Sequence, residues 1–322
     1  MASSDYLLKV EGLKAFYRTR NSPVKAVDDV SIGAKKSEIL GIAGESGCGK
    51  STFALAVTRL LKPPGYIEDG KILLNGVDIL KLSPKELKKV RWSEMSYIPQ
   101  SSMNALNPVM RIEEQIGDAI VTHGGKMSKD ELKKRVEELL TDVGLAPEVA
   151  RMYPHELSGG MRQRVIIAMA IALNPELIVA DEPTTALDVV VQRGILQMLS
   201  DIRRKFGSSI IIITHDMAAQ AEIVDRLAIM YAGKIVEAGS VGKLFEEPLH
   251  PYTQALTSAI PSIKGKRQLS GLSGLPPDLR KPPAGCRFHP RCPKIIYNKC
   301  EIEEPELIDA EKDRLVACHL CG

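Results

Sequence analysis

The sequence predicts an α/β fold with a mainly parallel sheet. Three unbroken apolar runs carry this prediction: Ile39 to Ala43, Leu177 to Ala180 and Ile210 to Ile213. A strand that is covered on both faces, as in a parallel sheet, is apolar throughout. Tyr6 to Val10 is a further predicted strand, because it is rich in β-forming residues and bounded by turn-prone ones. We therefore expect strands both before and after residues 112–149, which form the central part of the chain.

That central region, residues 112–149, has the period of a helix rather than of a strand. Its apolar residues lie on one face of a charged segment, and they are Leu132, Val136, Leu139, Leu140 and Val143. We expect an inserted helical subdomain at about residues 102–172. The residues before the 39–43 run predict an antiparallel β subdomain.

Prolines interrupt the sequence beyond about residue 245, so long regular elements are not expected there. We place a domain boundary between residues 240 and 260. The prediction is a nucleotide-binding domain at residues 1–250 and a small, irregular, cysteine-rich extension at residues 251–322.

Composition and charge exclude several classes of protein. The 322 residues are 44% hydrophobic and 26% charged, which is typical of a folded globular chain. The net charge is only +3, without long blocks of one sign, so charge does not indicate nucleic-acid binding. The longest apolar run, Val165 to Leu173, is far shorter than the roughly 18 residues that cross a bilayer. The N-terminus has no secretory pattern, and we expect a cytoplasmic protein.

Residues 44–51 fit the phosphate-binding pattern G-x-x-x-x-G-K-S, after a predicted strand and before a helix-compatible run, Thr52 to Leu61. In such a loop the backbone N–H groups turn toward phosphates, the lysine reaches the β- and γ-oxygens, and the serine hydroxyl binds Mg²⁺. The sequence therefore predicts MgATP binding. The candidate residues are Gly44, Glu45, Ser46, Gly47, Cys48, Gly49, Lys50, Ser51 and Thr52.

Two of the predicted strands end in polar residues. Asp181 and Glu182 follow the 177–180 run, and buried carboxylates need a cation or a reactant to compensate them. We expect Asp181 to bind Mg²⁺ through water and Glu182 to polarise the attacking water. His215 follows the 210–213 run. A histidine at a strand end is more often structural, but ligands bind at such sheet edges, so His215 is a candidate γ-phosphate sensor.

Ser158, Gly159 and Gly160 precede the helical run 165–173 and form a second candidate anion site at a helix start. One ATP does not obviously need two such sites in one chain. We therefore expect a head-to-tail pair, in which the 158–160 segment of each chain closes on the ATP held by Lys50 of the other.

Together these residues resemble the nucleotide-binding subunits of ABC transporters, over roughly residues 6–245. Residues 157–160 resemble the family's signature motif, with Met161 where Gln is commoner. The resemblance implies that Gln100 touches Mg²⁺ and the membrane partner, that Asp188 belongs to the D-loop, and that Tyr17 stacks on adenine. The alternative for Tyr17, and for the adjacent Phe16, is a place in the core.

The tail is similar to the C-terminal extension of ATPases that power dipeptide and oligopeptide import. The similarity lies in residues 245–256 and 285–293. It implies a related ATPase as dimer partner, two transmembrane permease subunits, an extracytoplasmic peptide-binding protein and a position on the inner face of the cell membrane. Nickel importers share such ATPases, so the solute stays open. Two other classes of protein fit the sequence less well. A soluble ABC-type ATPase needs coiled-coil insertions or a second nucleotide domain, and neither is visible in the sequence. A phosphate-loop kinase has no use for residues 157–160.

Five of the six cysteines lie in the last 40 residues, a pattern that indicates metal binding in a reducing compartment. Four of them have spacings of x5, x7 and x17, unlike the C-x2-C pairs of structural zinc. These are Cys286, Cys292, Cys300 and Cys318. The resemblance implies a [4Fe–4S] cluster on them, with Zn²⁺ as the alternative. Cys321 is then a substitute ligand or a free thiol. His289 and His319 are candidates to complete a zinc site, but the favoured interpretation is that both are surface residues.

Overall fold

The computed structural model describes residues 5–100, 105–259, 272, 274–311 and 313–321. The first residues of the predicted helical subdomain and parts of the predicted extension lie outside these ranges. In chain order the strands are β1 (Tyr6–Tyr17), β2 (Val24–Lys35), β3 (Ile39–Ala43), β4 (Gly65–Leu74), β5 (Val77–Asp78), β6 (Met95–Ile98), β7 (Leu177–Asp181), β8 (Ser209–Ile213), β9 (Arg226–Tyr231), β10 (Lys234–Ser240), β11 (Ile308–Glu311) and β12 (Arg314–Val316).

The α-helices are mostly short, and 3₁₀ turns lie at residues 79–81, 147–151, 154–156 and 289–291. The helices are α1 (Lys50–Val57), α2 (Pro84–Val90), α3 (Ile112–Gly124), α4 (Lys129–Asp142), α5 (Gly159–Ala170), α6 (Val189–Phe206), α7 (Met217–Ala221), α8 (Val241–Glu246) and α9 (Pro251–Ser258). None of the helices in the described ranges is both long and apolar enough to cross a membrane.

The chain forms two compact units, each built from several segments. Unit 1 comprises residues 1–8, 34–39 and 74–212, and unit 2 comprises residues 9–33, 40–73 and 213–322. Unit 2 contains residues on both sides of the predicted boundary near residue 250. That boundary stays a prediction.

Unit 1 contains the helical region and a parallel strand pair. Strands β6 and β7 are paired in parallel, with Ile98 opposite Ala180, and every residue of β7 is buried. Helix α4 begins at a capping box, in which Ser128 and Glu131 bond each other's backbone N–H groups. The predicted apolar face of α4 is confirmed, since Val136, Leu139 and Leu140 are buried.

The predicted helical region consists of separate helices. Residues 112–149 form α3, α4 and the start of a 3₁₀ turn. Gly125, at a φ of 99°, follows α3 and separates it from α4. Helix α1 is likewise shorter than the Thr52–Leu61 run, because the chain turns at Arg59, which has a φ of 50°.

Unit 2 contains a sheet with the strand order β11-β12-β10-β9-β3. Strand β3 pairs with β9 in parallel, and β9, β10, β12 and β11 then pair antiparallel in succession. The C-terminal strands were not predicted, because their buried and exposed residues alternate over only three or four positions. They place the last residues of the chain beside β10. In a second sheet, β2, β1 and β4 are successive neighbours.

A buried ion pair stabilises this attachment of the C-terminal residues. Arg314 in β12 bonds Glu237 in β10 at 2.9 Å, and both side chains are at most 1% exposed. Glu237 also accepts the N–H groups of Leu249 and His250, at 3.0 and 2.9 Å. The buried Glu237 carboxylate therefore has both a cationic partner and backbone N–H donors, which compensate for its loss of contact with water.

Candidate active site

The predicted phosphate-binding loop, residues 44–51, connects β3 to α1 in unit 2. Two of its glycines are required by the backbone. Gly44 has a φ of 153° and Gly49 a φ of 111°. A Cβ atom would lie 2.1 Å from the Met230 carbonyl oxygen at Gly44, and 1.9 Å from that of Ala26 at Gly49. A side chain at either position would force this loop to open.

Lys50 lies inside the loop and is 5% exposed. Its ammonium donates to the carbonyl oxygens of Gly44 at 2.7 Å and Glu45 at 2.9 Å. The loop therefore surrounds the cation at its centre. Burial raises the pKa of the neighbouring Cys48 thiol, whose sulfur lies 3.6 Å from the ammonium. Cys48 packs beneath the loop, and Ser46 and Gly47 at its tip are exposed.

Tyr17 lies next to the first turn of α1. Its hydroxyl is 3.2 Å from the Thr52 hydroxyl, and the tyrosine is half-buried. Phe16 is instead a core residue, since it is buried and makes an edge contact with Tyr66. Tyr17, the predicted adenine partner, therefore lies beside the nucleotide loop, whereas Phe16 belongs to the core.

The predicted acidic pair lies at the end of β7 in unit 1. Asp181 is 2% exposed, and it accepts a hydrogen bond from the Tyr97 hydroxyl at 3.2 Å. Glu182 has a φ of 46°, an uncommon conformation for this residue type. Such conformations concentrate where function demands them.

Two side chains orient the Glu182 carboxylate. Gln100 donates to its Oε2 at 2.9 Å, and the Thr185 hydroxyl donates to the same oxygen at 2.8 Å. The structure thus brings together Gln100 and Glu182, which the sequence analysis had named separately. Tyr97 and Thr185 were not among the predicted site residues, although Thr185 begins the segment that resembles the D-loop. Each lies three residues along the chain from Gln100 or Glu182, and this spacing was the available signal.

The second candidate anion site opens helix α5 in unit 1. Ser158 is the N-cap, and its hydroxyl accepts the Met161 N–H at 3.2 Å. A Cβ on Gly160 would lie 2.8 Å from Val191 in α6. Asp188 caps that helix by accepting the Val191 N–H at 3.0 Å. The 158–160 segment and Asp188 are therefore neighbours, as parts of one surface would be.

His215 follows β8 in unit 2 and is exposed. The next residue, Asp216, caps α7 by accepting the Ala219 N–H at 3.0 Å. Unit 2 therefore contains Tyr17, the 44–52 segment and His215. Unit 1 contains the remaining nucleotide-site candidates, Gln100, Ser158, Gly159, Gly160, Asp181, Glu182 and Asp188.

The cysteines of the extension lie near one another without forming a ligand set. Burial, and to a smaller extent the neighbouring Cys300 and Cys292 thiols, raises the pKa of Cys286 to about 11. The pKa of Cys318 is raised to about 12, mainly by burial and to a smaller extent by Cys321, Cys286 and Cys292. Yet within the described ranges no three His, Cys, Asp or Glu side chains are placed to hold a metal.

Both histidines of the extension are bonded to backbone carbonyl groups. His289 Nδ1 lies 2.9 Å from the Cys286 oxygen, and His319 Nε2 lies 2.9 Å from the Glu303 oxygen. The thiols are chemically suited to iron or zinc, whereas their arrangement is not that of a metal centre.

Two family models match this chain. A family model described as ABC transporter matches residues 27–185, and one described as oligopeptide/dipeptide transporter, C-terminal region, matches residues 236–300. A dipeptide transport ATP-binding protein, DppD of Caldanaerobacter subterraneus, is 40% identical over 98% of this chain and 97% of its own. An oligopeptide transport ATP-binding protein, AppD of Bacillus subtilis, is 43% identical over 98% of this chain and 96% of its own.

Solved structures match the fold. The dimeric ATP-binding cassette MJ0796, in a post-hydrolysis state bound to ADP and Pi, has a TM-score of 0.65 at 29% identity. The match covers 73% of this chain and 98% of that protein. On this evidence the chain belongs to the ABC transporter family, within the group of ATP-binding proteins that carry the oligopeptide/dipeptide transporter C-terminal region.

Proposed function

We propose that the chain binds and hydrolyses MgATP to power an importer of dipeptides or oligopeptides. The observation that carries the proposal is the loop that encloses Lys50, in a chain 40–45% identical to dipeptide and oligopeptide transport ATP-binding proteins over nearly its full length. A buried ammonium surrounded by carbonyl groups is poised to exchange them for phosphate oxygens, which carry full charge.

Each candidate residue then has a chemical role. The 44–52 segment binds the phosphates, with Lys50 on the β- and γ-oxygens, and Tyr17 lies against adenine. Ser51, Gln100 and Asp181 hold Mg²⁺, which neutralises charge on the transferred phosphoryl group. Glu182 polarises the attacking water, and His215 contacts the γ-phosphate.

Hydrolysis requires a second subunit. We assign Ser158, Gly159, Gly160 and Asp188 to the surface that closes on the ATP of a related ATPase partner. The pair would dock on two permease subunits at the inner face of the cell membrane, supplied by an extracytoplasmic peptide-binding protein. Dimeric cassettes among the similar solved structures support the pairing.

The mechanism is tested by Glu182→Gln in the purified transport complex. We expect ATP binding to persist and turnover to fall by about 10²- to 10⁴-fold, the usual contribution of a positioned base. Glu148→Gln, at an exposed carboxylate, is the matched control. Near-normal turnover in Glu182→Gln would remove the carboxylate from this role. Failure of the tagged chain to co-purify with membrane subunits in mild detergent would refute the transport function.

We further propose a [4Fe–4S] cluster on Cys286, Cys292, Cys300 and Cys318, with Zn²⁺ as the alternative. The support is the chemistry of the donors, four thiols close enough to raise one another's pKa, and the Ile296 N–H directed at the Cys300 sulfur at 3.4 Å. The thiols would have to move closer together to bind the cluster, since no three possible ligands in the described ranges are placed to hold a metal. Metal analysis after anaerobic purification tests the proposal. Iron and inorganic sulfide at about four each per chain are expected, whereas stoichiometric zinc selects the alternative, and the absence of both metals refutes a metal centre.

A further inference from the structure

We propose that Arg291 is a positioning residue for the nucleotide loop, which it acts on by neutralising and fixing Glu45. Two parallel bonds join the side chains: Nη1 to Oε2 at 2.6 Å and Nη2 to Oε1 at 3.0 Å. Glu45 is the second residue of the loop, whereas Arg291 lies in the extension, between Cys286 and Cys292. The pair therefore connects the extension to the nucleotide site.

The Arg291 side chain is held in this geometry from several directions. It is only 5% exposed, its Nη1 lies 3.4 Å from the Tyr231 hydroxyl, and its guanidinium carbon lies 5.8 Å from the Tyr231 ring centroid. Arg287, four residues earlier, pairs with Asp28 and donates to the Ala232 carbonyl oxygen. Two arginines thus attach this turn of the extension to the strands around the loop.

The backbone of Glu45 is held by the extension as well. Its N–H donates to the Tyr252 hydroxyl at 2.9 Å, and Tyr252 in α9 is fully buried. Tyr252 packs on the rings of Tyr231 and Phe288, at centroid distances of 4.6 and 5.4 Å. Because that N–H is engaged, it is not available to a phosphate, and the donors for the nucleotide lie further along the loop.

Electrostatics explains why Glu45 needs this partner. A carboxylate in a loop that receives a triphosphate repels its ligand, and at an effective dielectric constant of about 20 the repulsion is still appreciable over several ångströms. The bidentate guanidinium cancels the charge and fixes the side chain. Without Arg291 the carboxylate would be uncompensated beside the bound phosphates.

This inference rests on the proposed assignment of the 44–52 segment to ATP binding. The test is a titration of the full-length chain with a fluorescent ATP analogue and Mg²⁺. Arg291→Ala is expected to weaken binding about tenfold, equal to about 1.4 kcal/mol. Glu45→Gln is expected to tighten binding about two- to threefold, because the repulsion is lost and the Arg291 charge is released. The double variant is expected to bind within about threefold of wild type.

The rescue separates positioning from general stability. If Arg291 only held the extension in place, Glu45→Gln would not restore binding to Arg291→Ala. Arg280→Ala removes an exposed arginine that pairs with Asp278 alone among acidic side chains in the described ranges, and it is the charge-matched control, expected to bind as wild type does. In the purified transport complex, Arg291→Ala should raise the KM for ATP more than it lowers kcat.

Two results would overturn the inference: wild-type affinity in Arg291→Ala, or a double variant no better than Arg291→Ala. Should Arg291→Ala fail to fold, Arg291→Lys and Glu45→Gln carry the test. Weaker binding in Glu45→Gln than in wild type would then be decisive against neutralisation. Lys50→Ala tests the ATP site separately from the role of Arg291, since unaltered binding in that variant would refute the ATP site itself.

Discussion

Two glycine-rich segments precede helices in this chain, and they are built in different ways. The segment before α1 is enclosed: Gly44 and Gly49 take conformations that other residues avoid, Lys50 is buried, and Glu45 is held by the extension. The segment before α5 is open: Ser158 is exposed, and its own hydroxyl caps the helix.

The difference indicates a division of labour. An enclosed loop with its own cation can hold a triphosphate within one chain, because charge and geometry are already in place. An exposed helix start without an enclosing loop supplies N–H donors and a dipole worth only about 0.3 to 2 kcal/mol. The first segment is therefore suited to binding ATP, and the second to completing a site on another chain.

The largest expected effect is that of Lys50→Ala on binding by the isolated chain. Loss of the buried ammonium removes the strongest charge-assisted contact to the phosphates, and we expect affinity for a fluorescent ATP analogue to fall by about 100-fold or more. Lys36→Ala, at an exposed lysine, is the control. Retained affinity would mean that the enclosed loop is not the phosphate site. The proposed difference in function between the two segments would then be wrong.

The second expected effect concerns the open segment. Gly160→Ala adds a Cβ 2.8 Å from a Val191 side-chain carbon, so that either this side chain or the start of α5 must shift. We expect unchanged ATP affinity in the isolated chain, but a turnover about 10- to 100-fold lower in the transport complex, since small misplacements of a contributing group cost that much.

Gly194→Ala is the matched control for this variant. It also adds a methyl group within a helix, but its nearest neighbour outside that helix is the Arg164 guanidinium at 3.6 Å, an ordinary contact. Equal losses of affinity and turnover in Gly160→Ala would place the open segment in the same site as Lys50 and contradict the division of labour.

The contrast also explains what the sequence predicts well. The enclosed loop, the buried strand ending in Asp181 and the apolar face of α4 depend on short-range patterns, and each was found where expected. The Arg291–Glu45 pair joins residues 246 positions apart, and no local pattern connects them. Strands β11 and β12 are too short for their alternation to stand out. The cysteines show the same limit, because spacing gives the donors but not their arrangement.

The smallest expected effect is a pH dependence at His250, directly before the extension that holds the enclosed loop. His250 is the N-cap of α9, its Nδ1 accepts the Tyr252 N–H at 3.0 Å, and burial lowers its pKa to about 4. In the unfolded chain His250 takes up a proton near pH 6.5, whereas in the folded chain it stays neutral until about pH 4. The unfolded state therefore binds more protons in this window, and the free energy of unfolding falls as the pH is lowered.

The contribution of His250 to this slope is up to about 1.4 kcal/mol per pH unit between pH 6.5 and 4. His250→Asn keeps an N-cap acceptor and removes the titration. Urea unfolding at pH 7 and at pH 5 should show a smaller loss of stability in His250→Asn than in wild type. Glu237, which accepts the His250 N–H, is paired with Arg314 in both proteins and does not alter the comparison. An equal loss of stability in the two proteins would show that titration of His250 does not contribute, and that the acid sensitivity of the chain arises elsewhere.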